Sequence, residues 1–368
     1  MPMPMPMKTY FFLPPVRQAA GGITVLRRMA AFLAAANREA FLVPREMQGE
    51  GPGWAPCESF VEAPIVPWDQ LTLTPGDLWV VPEGWVNALT PGLNAGARCL
   101  VYVQNWAYLL SALPEGVSWR KLPVEFAAVS DPVARFVAAT TGFDAPILRP
   151  GIDTELFCAP DQKPDVSGSG TVRIAFMPRK NKALAKQIRE TFSALDEGLA
   201  ARCQWVEIAG MTAKGVAEAL QSAHIFLATG FPEGCPLPPL EAMACGCLPV
   251  GYMGFGGADY MRQALSPEAD PAPFAPWWPL RDVPWGDKGT GGGHGNGLWS
   301  ADADILGAAL HLKTAAMWFL DGTSAGGSPR LSPTLAPTLV NARATAAAYS
   351  LEAQRESVLD FWQRLDPA

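Results

Sequence analysis

Two glutamates, Glu233 and Glu241, lie in the stretch FPEGCPLPPLEAMACGCLPV (Phe231–Val250) with seven residues between them. An ionised carboxylate offers only acceptors, so a pair of them suits a ligand rich in hydroxyls, such as a vicinal diol. The sequence between the glutamates opens a helix. Pro238 and Pro239 fit a first helical turn, where a missing N–H costs nothing. Leu-Glu-Ala-Met-Ala over residues 240–244 continues it, and Gly246 closes it. A helix N-terminus carries unpaired N–H groups and the positive end of a dipole, which together seat a phosphate. The donors on offer are the N–H groups of Gly234, Cys235 and Leu237, because Pro236 has none. Carboxylates beside that seat repel a bare phosphate but accept from a ligand with hydroxyls on either side of it. A nucleotide sugar has that chemistry. The bland alternative is an ordinary helix with a solvated glutamate at each side.

Two further groups of residues fit the same ligand. Pro178-Arg179-Lys180-Asn181-Lys182 follows an expected strand, Val172–Met177, and precedes an expected helix reaching about Leu199. Cations are disfavoured at a helix start, and a bound diphosphate would compensate them. Near the other end of the chain, Gly21-Gly22 separates an aromatic strand, Tyr10–Leu13, from a helix over Ile23–Ala35. Glycine lets backbone N–H groups come close to a ligand, although a tight turn reads equally well.

These residues need elements to hold them. Short apolar runs at Ala40–Val43, Leu78–Val81, Cys99–Val103 and Phe126–Ser130 read as strands of a first region. Gln104-Asn105-Trp106 then falls at a strand's C-terminal end, where open α/β sheets bind ligands. Asp131-Pro132 starts a helix with Asp131 as its cap, running to Thr141. Residues 146–171 turn rich in Pro, Gly, Asp and Ser, which marks a linker. Beyond it, strands at Gln204–Ile208, His224–Thr229 and Cys247–Tyr252 alternate with helices such as Ala213–Gln221, the pattern of a parallel sheet. Residues 264–300 read as an irregular loop containing Trp277, Trp278, Trp285 and His294. Asp302–Leu320 and Leu339–Leu365 read as helices. Asp302 and Asp304 are closely spaced, but a helix start explains them better than a metal does.

The 368 residues are 49% hydrophobic and 17% charged with a net charge of −7, a globular composition large enough for two domains. That charge argues against a general nucleic-acid binder. Seven scattered cysteines form no disulfide framework and read as small buried residues. Three histidines, none near a cysteine in sequence, give no zinc-ligand spacing. No apolar run reaches the roughly 18 residues of a membrane span, and MPMPMPMK is not a signal peptide. The expected location is the cytoplasm, with peripheral membrane contact compatible.

The stretch EGCPLPPLEAMACGCLPV resembles the E-x7-E signature of the family-four, or group 1, retaining glycosyltransferases. RPGIDTELF over Arg149–Phe157 is similar to the segment leading those enzymes into their second domain. The resemblance implies an α/β GT-B fold, two Rossmann-like domains facing across a cleft. It implies residues 1–150 as an acceptor-side domain, 151–338 as a nucleotide-sugar-binding domain, and 339–368 as a helix returning to the first. By resemblance Glu233 faces the donor sugar and acts in catalysis with Arg179 and Lys180, while Glu241 holds the ribose hydroxyls. Gly21, Gly22, Gly234, Cys235 and Leu237 would complete the donor site. The implied activity is retaining, metal-independent transfer from a nucleotide-diphospho-sugar co-substrate, without cofactor, to a glycan, lipid-linked or other acceptor. The chain departs from the family at Pro236, where glycine is usual, and at residues 104–106, where a histidine is common. Its Arg and Lys are closer together than the family's, and Asp259 is only a loose counterpart of the acid after the next glycine-rich turn. A non-catalytic nucleotide-sugar-binding or scaffold protein, and an epimerase or phosphorylase on the same fold, are the other readings.

Overall fold

The computed structural model describes residues 7–15, 21–46, 61–179, 181–276, 280, 295–321 and 333–366. Lys180, Trp277, Trp278, Trp285 and His294 therefore lie outside the described residues. The chain divides into two compact units, Met1–Pro150 with Glu352–Ala368, and Gly151–Leu351.

The first unit alternates β1 (Thr9–Leu13), α1 (Gly21–Ala35), β2 (Ala40–Pro44), β3 (Leu78–Pro82), α2 (Thr90–Ala95), β4 (Arg98–Val103), α3 (Trp106–Ser111), β5 (Glu125–Ala128) and α4 (Asp131–Thr141). Its five strands are all parallel in the order β2-β1-β3-β4-β5. The strands are apolar on both faces, and every residue of β1 and β3 is buried. Parallel strands joined by helical crossovers are covered on both sides, which is why they read as unbroken apolar runs. One expected boundary moves. The strand stops at Ala128, and Ser130, not Asp131, caps α4 by accepting from the Val133 N–H. Serine accepts at that position as well as aspartate does, and Pro132 is equally tolerated one residue later.

The second unit holds α5 (Val166–Ser169), β6 (Val172–Phe176), α6 (Lys182–Leu195), α7 (Glu197–Ala200), β7 (Cys203–Glu207), α8 (Ala213–Gln221), β8 (Ile225–Ala228), α9 (Leu237–Ala244), β9 (Leu248–Tyr252), β10 (Leu298–Ser300), α10 (Ile305–Asp321) and α11 (Leu335–Ala348). Its strands are again all parallel, in the order β10-β9-β8-β6-β7. The single helix expected up to Leu199 is broken at Asp196, whose carboxylate accepts from the Leu199 N–H and caps α7.

Strand β10 and the residues after β9 correct the expectation of a wholly irregular 264–300 stretch. Asp270 pins the segment by accepting from His311 Nε2 at 2.7 Å, Gln263 Nε2 at 2.8 Å and the Ala272 N–H at 2.9 Å. Ser300 Oγ completes the set, 2.8 Å from His311 Nδ1, with both side chains buried. Buried polar groups are tolerated only when paired in this way.

The helix expected over Leu339–Leu365 is two helices. α11 stops at Ala348, and α12 (Leu351–Leu365) begins after a break at Tyr349-Ser350. There Tyr349 O accepts from the Ile152 N–H at 2.8 Å, and the Leu351 N–H donates to Ile152 O at 3.0 Å. A helix that gives its backbone groups to another strand of chain cannot continue through them. Within the first unit, α12 packs on β1. Trp362 Nε1 donates to Thr9 Oγ1 at 3.0 Å, and its ring lies 5.8 Å from that of Phe11. Truncating a buried ring of that size costs about 3–5 kcal/mol.

Candidate functional site

In the second unit the C-terminal ends of β6, β8, β9 and β10 share one edge of the sheet, since all run parallel. The loops leaving that edge carry the residues picked out from the sequence.

Helix α9 follows its expected design with small shifts. Pro236 is the N-cap and Leu237 the first helical residue, so the helix starts three residues before Leu240. Prolines at the second and third helical positions leave Leu237 as the only one of the first three with an N–H. At the other end Cys245 is the cap and Gly246 takes φ 75° just past it. The Gly246 N–H donates to Met243 O at 3.0 Å and the Cys247 N–H to Ala242 O at 2.8 Å. That is a Schellman stop, which favours glycine in the left-handed position. Glu241 sits one turn into this helix, half-buried, and Glu233 sits on the loop before it, also half-buried.

Glu233 is held through its backbone. Its N–H donates to Gly254 O at 2.9 Å, and its carbonyl accepts from the Gly256 N–H at 3.0 Å. A Cβ on Gly256 would come within 1.9 Å of Gly234 O, so the close approach needs glycine there. The turn Gly254-Phe255-Gly256-Gly257 thus acts as a clamp on the glutamate loop. Tyr260 anchors the helix start, its hydroxyl donating to Pro236 O at 2.5 Å. Burial, foremost, drives the Tyr260 phenol well above its ordinary value, so it stays a donor. Asp259 is buried and accepts the Tyr349 hydroxyl at 2.5 Å. It serves that contact inside the core.

Arg179 is exposed in the turn after β6. Asn181, in the left-handed region at φ 58°, stands at the N-cap position of α6 without a side-chain cap bond and ties this turn to the glutamate loop. Its side-chain amide donates to Thr229 O at 2.9 Å and Phe231 O at 3.0 Å. So the Arg179 turn and the stretch leading to Glu233 are joined by one side chain. α6 has no acid in its first turn, and Lys182 there is exposed. The acid pair divides its work. Asp304 accepts from the Gly307 N–H at 2.8 Å at the start of α10, as expected of a cap, while Asp302 accepts from the Gly254 N–H at 2.7 Å.

In the first unit, Gly21 and Gly22 are the first residues of α1, two residues earlier than the expected helix start. A Cβ on Gly22 would fall 2.4 Å from Gln104 Oε1, whereas nothing lies within 4 Å of one on Gly21. Gly22 therefore permits the approach of Gln104, the residue at the end of β4. Glu83, at the end of β3, is buried and accepts from the Gln104 N–H at 2.9 Å and the Asn105 N–H at 2.8 Å. Its pKa is pushed up to about 7, mainly by burial, with the N–H groups of Gln104, Glu83 itself and Asn105 opposing the shift.

The contacts made by Asn181, Asp302, Tyr260 and Glu83 are not legible in the sequence. Their partners are 21 or more residues away, so no local spacing signals them. A left-handed asparagine beside basic residues is the nearest thing to a local cue. The cysteines also divide more finely than expected. Cys99, Cys245 and Cys247 are buried, but Cys158 is exposed.

Residues 172–275 match the family described as Glycosyl transferases group 1, a span that takes in Arg179, Glu233 and Glu241. No curated protein matches the sequence. Among solved structures, sucrose-phosphate synthase from Thermosynechococcus elongatus superposes with a TM-score of 0.63 at 13% identity, over 98% of this chain and 99% of that one. HepE of Anabaena, solved with UDP, gives 0.61 at 12% identity over 97% and 100%. WaaG, a glycosyltransferase involved in lipopolysaccharide biosynthesis, gives 0.52 at 13% over 96% and 99%. Two parallel five-stranded sheets with covering helices and these neighbours make the fold GT-B. Among the described residues no helix is long and apolar enough to cross a membrane.

Proposed function

We propose that this chain, which has a GT-B fold and matches the family described as Glycosyl transferases group 1 over residues 172–275, transfers a sugar from a nucleotide-diphospho-sugar to a glycan, lipid-linked or other acceptor, with retention at the anomeric carbon and without a metal. The observation that carries the reading is Glu233 and Glu241 flanking the start of α9, inside the matched span. HepE, solved with UDP, supports a nucleoside diphosphate as the product to look for.

In this reading Glu241 accepts from the ribose hydroxyls and Glu233 faces the sugar ring. As the anomeric bond breaks, negative charge grows on the diphosphate. Arg179, Lys180 and the N–H groups of Gly234, Cys235 and Leu237 stabilise it. Electrostatic donors fixed in place before the reaction are worth about 2.7–4 kcal/mol each in the barrier. In the first unit, Gly21 and Gly22 at the start of α1 would let backbone N–H groups come close to a ligand. The test is the anomeric configuration of the product, read by proton NMR on first-formed glycoside, with and without EDTA. Retention and EDTA resistance are expected. Inversion, or loss of activity restored by a divalent cation, contradicts the corresponding part.

A further inference from the structure

Asp302 lies outside the span that matches the family, yet it is the outer end of a chain of hydrogen bonds leading to Glu233. In the parallel pairing of β9 with β10, Tyr252 is opposite Ser300, which brings Gly254 level with Asp302 just beyond both strands. The ladder has ended there, so the Gly254 N–H needs another acceptor. Asp302 Oδ1 provides it at 2.7 Å, the short distance of a charge-assisted bond. Gly254 stands at φ 66°, the left-handed region, and a Cβ there would press within 2.8 Å of Gly230 O and 2.9 Å of Glu233 Cβ. From this turn the chain passes directly to the glutamate. Gly254 O accepts from the Glu233 N–H at 2.9 Å and the Gly256 N–H donates to Glu233 O at 3.0 Å.

The second oxygen of Asp302 has no hydrogen-bond partner among the described residues. Burial raises the Asp302 pKa above its ordinary value, the Gly254 N–H opposes that shift, and the charge of Glu233 adds to it. A like charge beside Glu233 is unfavourable unless it has a task. A plain helix cap is not that task, because Asp304 performs it for α10.

We propose that Asp302 is a positioning residue for Glu233, fixing the Gly254–Gly256 turn that holds the glutamate's backbone against the donor sugar. The inference rests on the reading of Glu233 as the residue that faces that sugar. Asp302 touches no substrate in this scheme. Its effect falls on catalysis and leaves nucleotide binding, which rests on Glu241 and the start of α9, in place.

The experiment pairs kinetics with amide hydrogen exchange on the full chain, for wild type, Asp302→Ala, Asp302→Asn, Glu233→Gln and the Asp302→Ala/Glu233→Gln double variant. A misplacement of about 1 Å can cost about 100-fold in rate, so Asp302→Ala is expected to lower kcat by about 10- to 100-fold. Its Kd for UDP, ADP or GDP, whichever wild type binds, should stay within about twofold, because that difference is under about 0.4 kcal/mol. Asp302→Asn keeps an oxygen that accepts from the Gly254 N–H and should recover most of the rate. The double variant should be no slower than Glu233→Gln, the non-additivity of two residues acting through one. Exchange in residues 231–235 and 253–257 should rise in the alanine variant and not in the asparagine one. An unchanged kcat, independent multiplication of the two losses, or nucleotide affinity falling in step with rate overturns the inference. Unchanged exchange overturns it whether or not turnover is detected. Absence of nucleoside diphosphate release by wild type counts instead against the transferase reading.

Discussion

Glu233 and Glu241 were legible because their spacing is local and the helix between them is written in punctuation: Pro238-Pro239 to start and Gly246 to stop. The side chains that hold those carboxylates in place were not. Asn181 reaches across 48 and 50 residues of sequence to Thr229 and Phe231, and only the sheet brings them together. At this scale Asn181→Ala should be informative. It removes two amide hydrogen bonds to backbone carbonyls, worth about 0.5–1.5 kcal/mol net each. It also replaces a residue that tolerates φ 58° with one that does not. The expected outcome is a loss of about 2–3 kcal/mol in a urea melt, with nucleoside diphosphate affinity reduced because the Arg179 turn loosens. Asn181→Gly should recover part of the stability and little of the affinity.

Whole elements are legible where an unbroken apolar run is covered on both faces, as in β1, β3 and β9, and hard to see where a short strand follows an irregular stretch. β10 is three residues long, and its pairing with β9 is what brings Asp302 to Gly254. The loop after β4 is legible at the C-terminal end of the strand, whereas Glu83 at the end of β3 is not, because a lone Glu after a strand carries no local signal. The Glu83 carboxyl gives the element-scale prediction. Its folded pKa of about 7 lies above the ordinary 4.5, so the folded state binds the proton more tightly. Its stabilising contribution is therefore full below about pH 4.5 and is lost as pH rises through about 7. By linkage the loss approaches about 3 kcal/mol. Urea midpoints measured from pH 5 to 8 should fall for wild type and flatten for Glu83→Gln, in which an amide oxygen still faces Gln104 and Asn105. Parallel curves for the two proteins contradict this account of Glu83.

At the scale of the whole chain, the sequence passes between the two units twice, at residues 150–151 and 351–352. The first passage shows in composition as a run of Pro, Gly, Asp and Ser. The second was hidden, because Leu339–Leu365 has helical composition throughout and its interruption is caused by a distant segment. Tyr349 and Leu351 give their backbone groups to Ile152. Gly151 makes room for this, since a Cβ there would lie 2.5 Å from Ser350 O. Gly151→Ala should force the two segments apart, and overpacking of that kind costs about 1–3 kcal/mol. A thermal melt checks it, and an unchanged Tm contradicts the tight crossing.

The central claim, a nucleotide-sugar transferase built around α9, is tested most directly by nucleoside diphosphate release. Wild type and Glu241→Ala are compared across a panel of nucleotide sugars and acceptors, with and without EDTA. The account predicts EDTA-resistant release by wild type for at least one donor and a fall in kcat/KM of about 10- to 100-fold in Glu241→Ala, since a hydrogen bond to a charged group is worth about 1.5–3 kcal/mol. Equal release by the two proteins, or no binding of any nucleotide sugar by wild type, contradicts it.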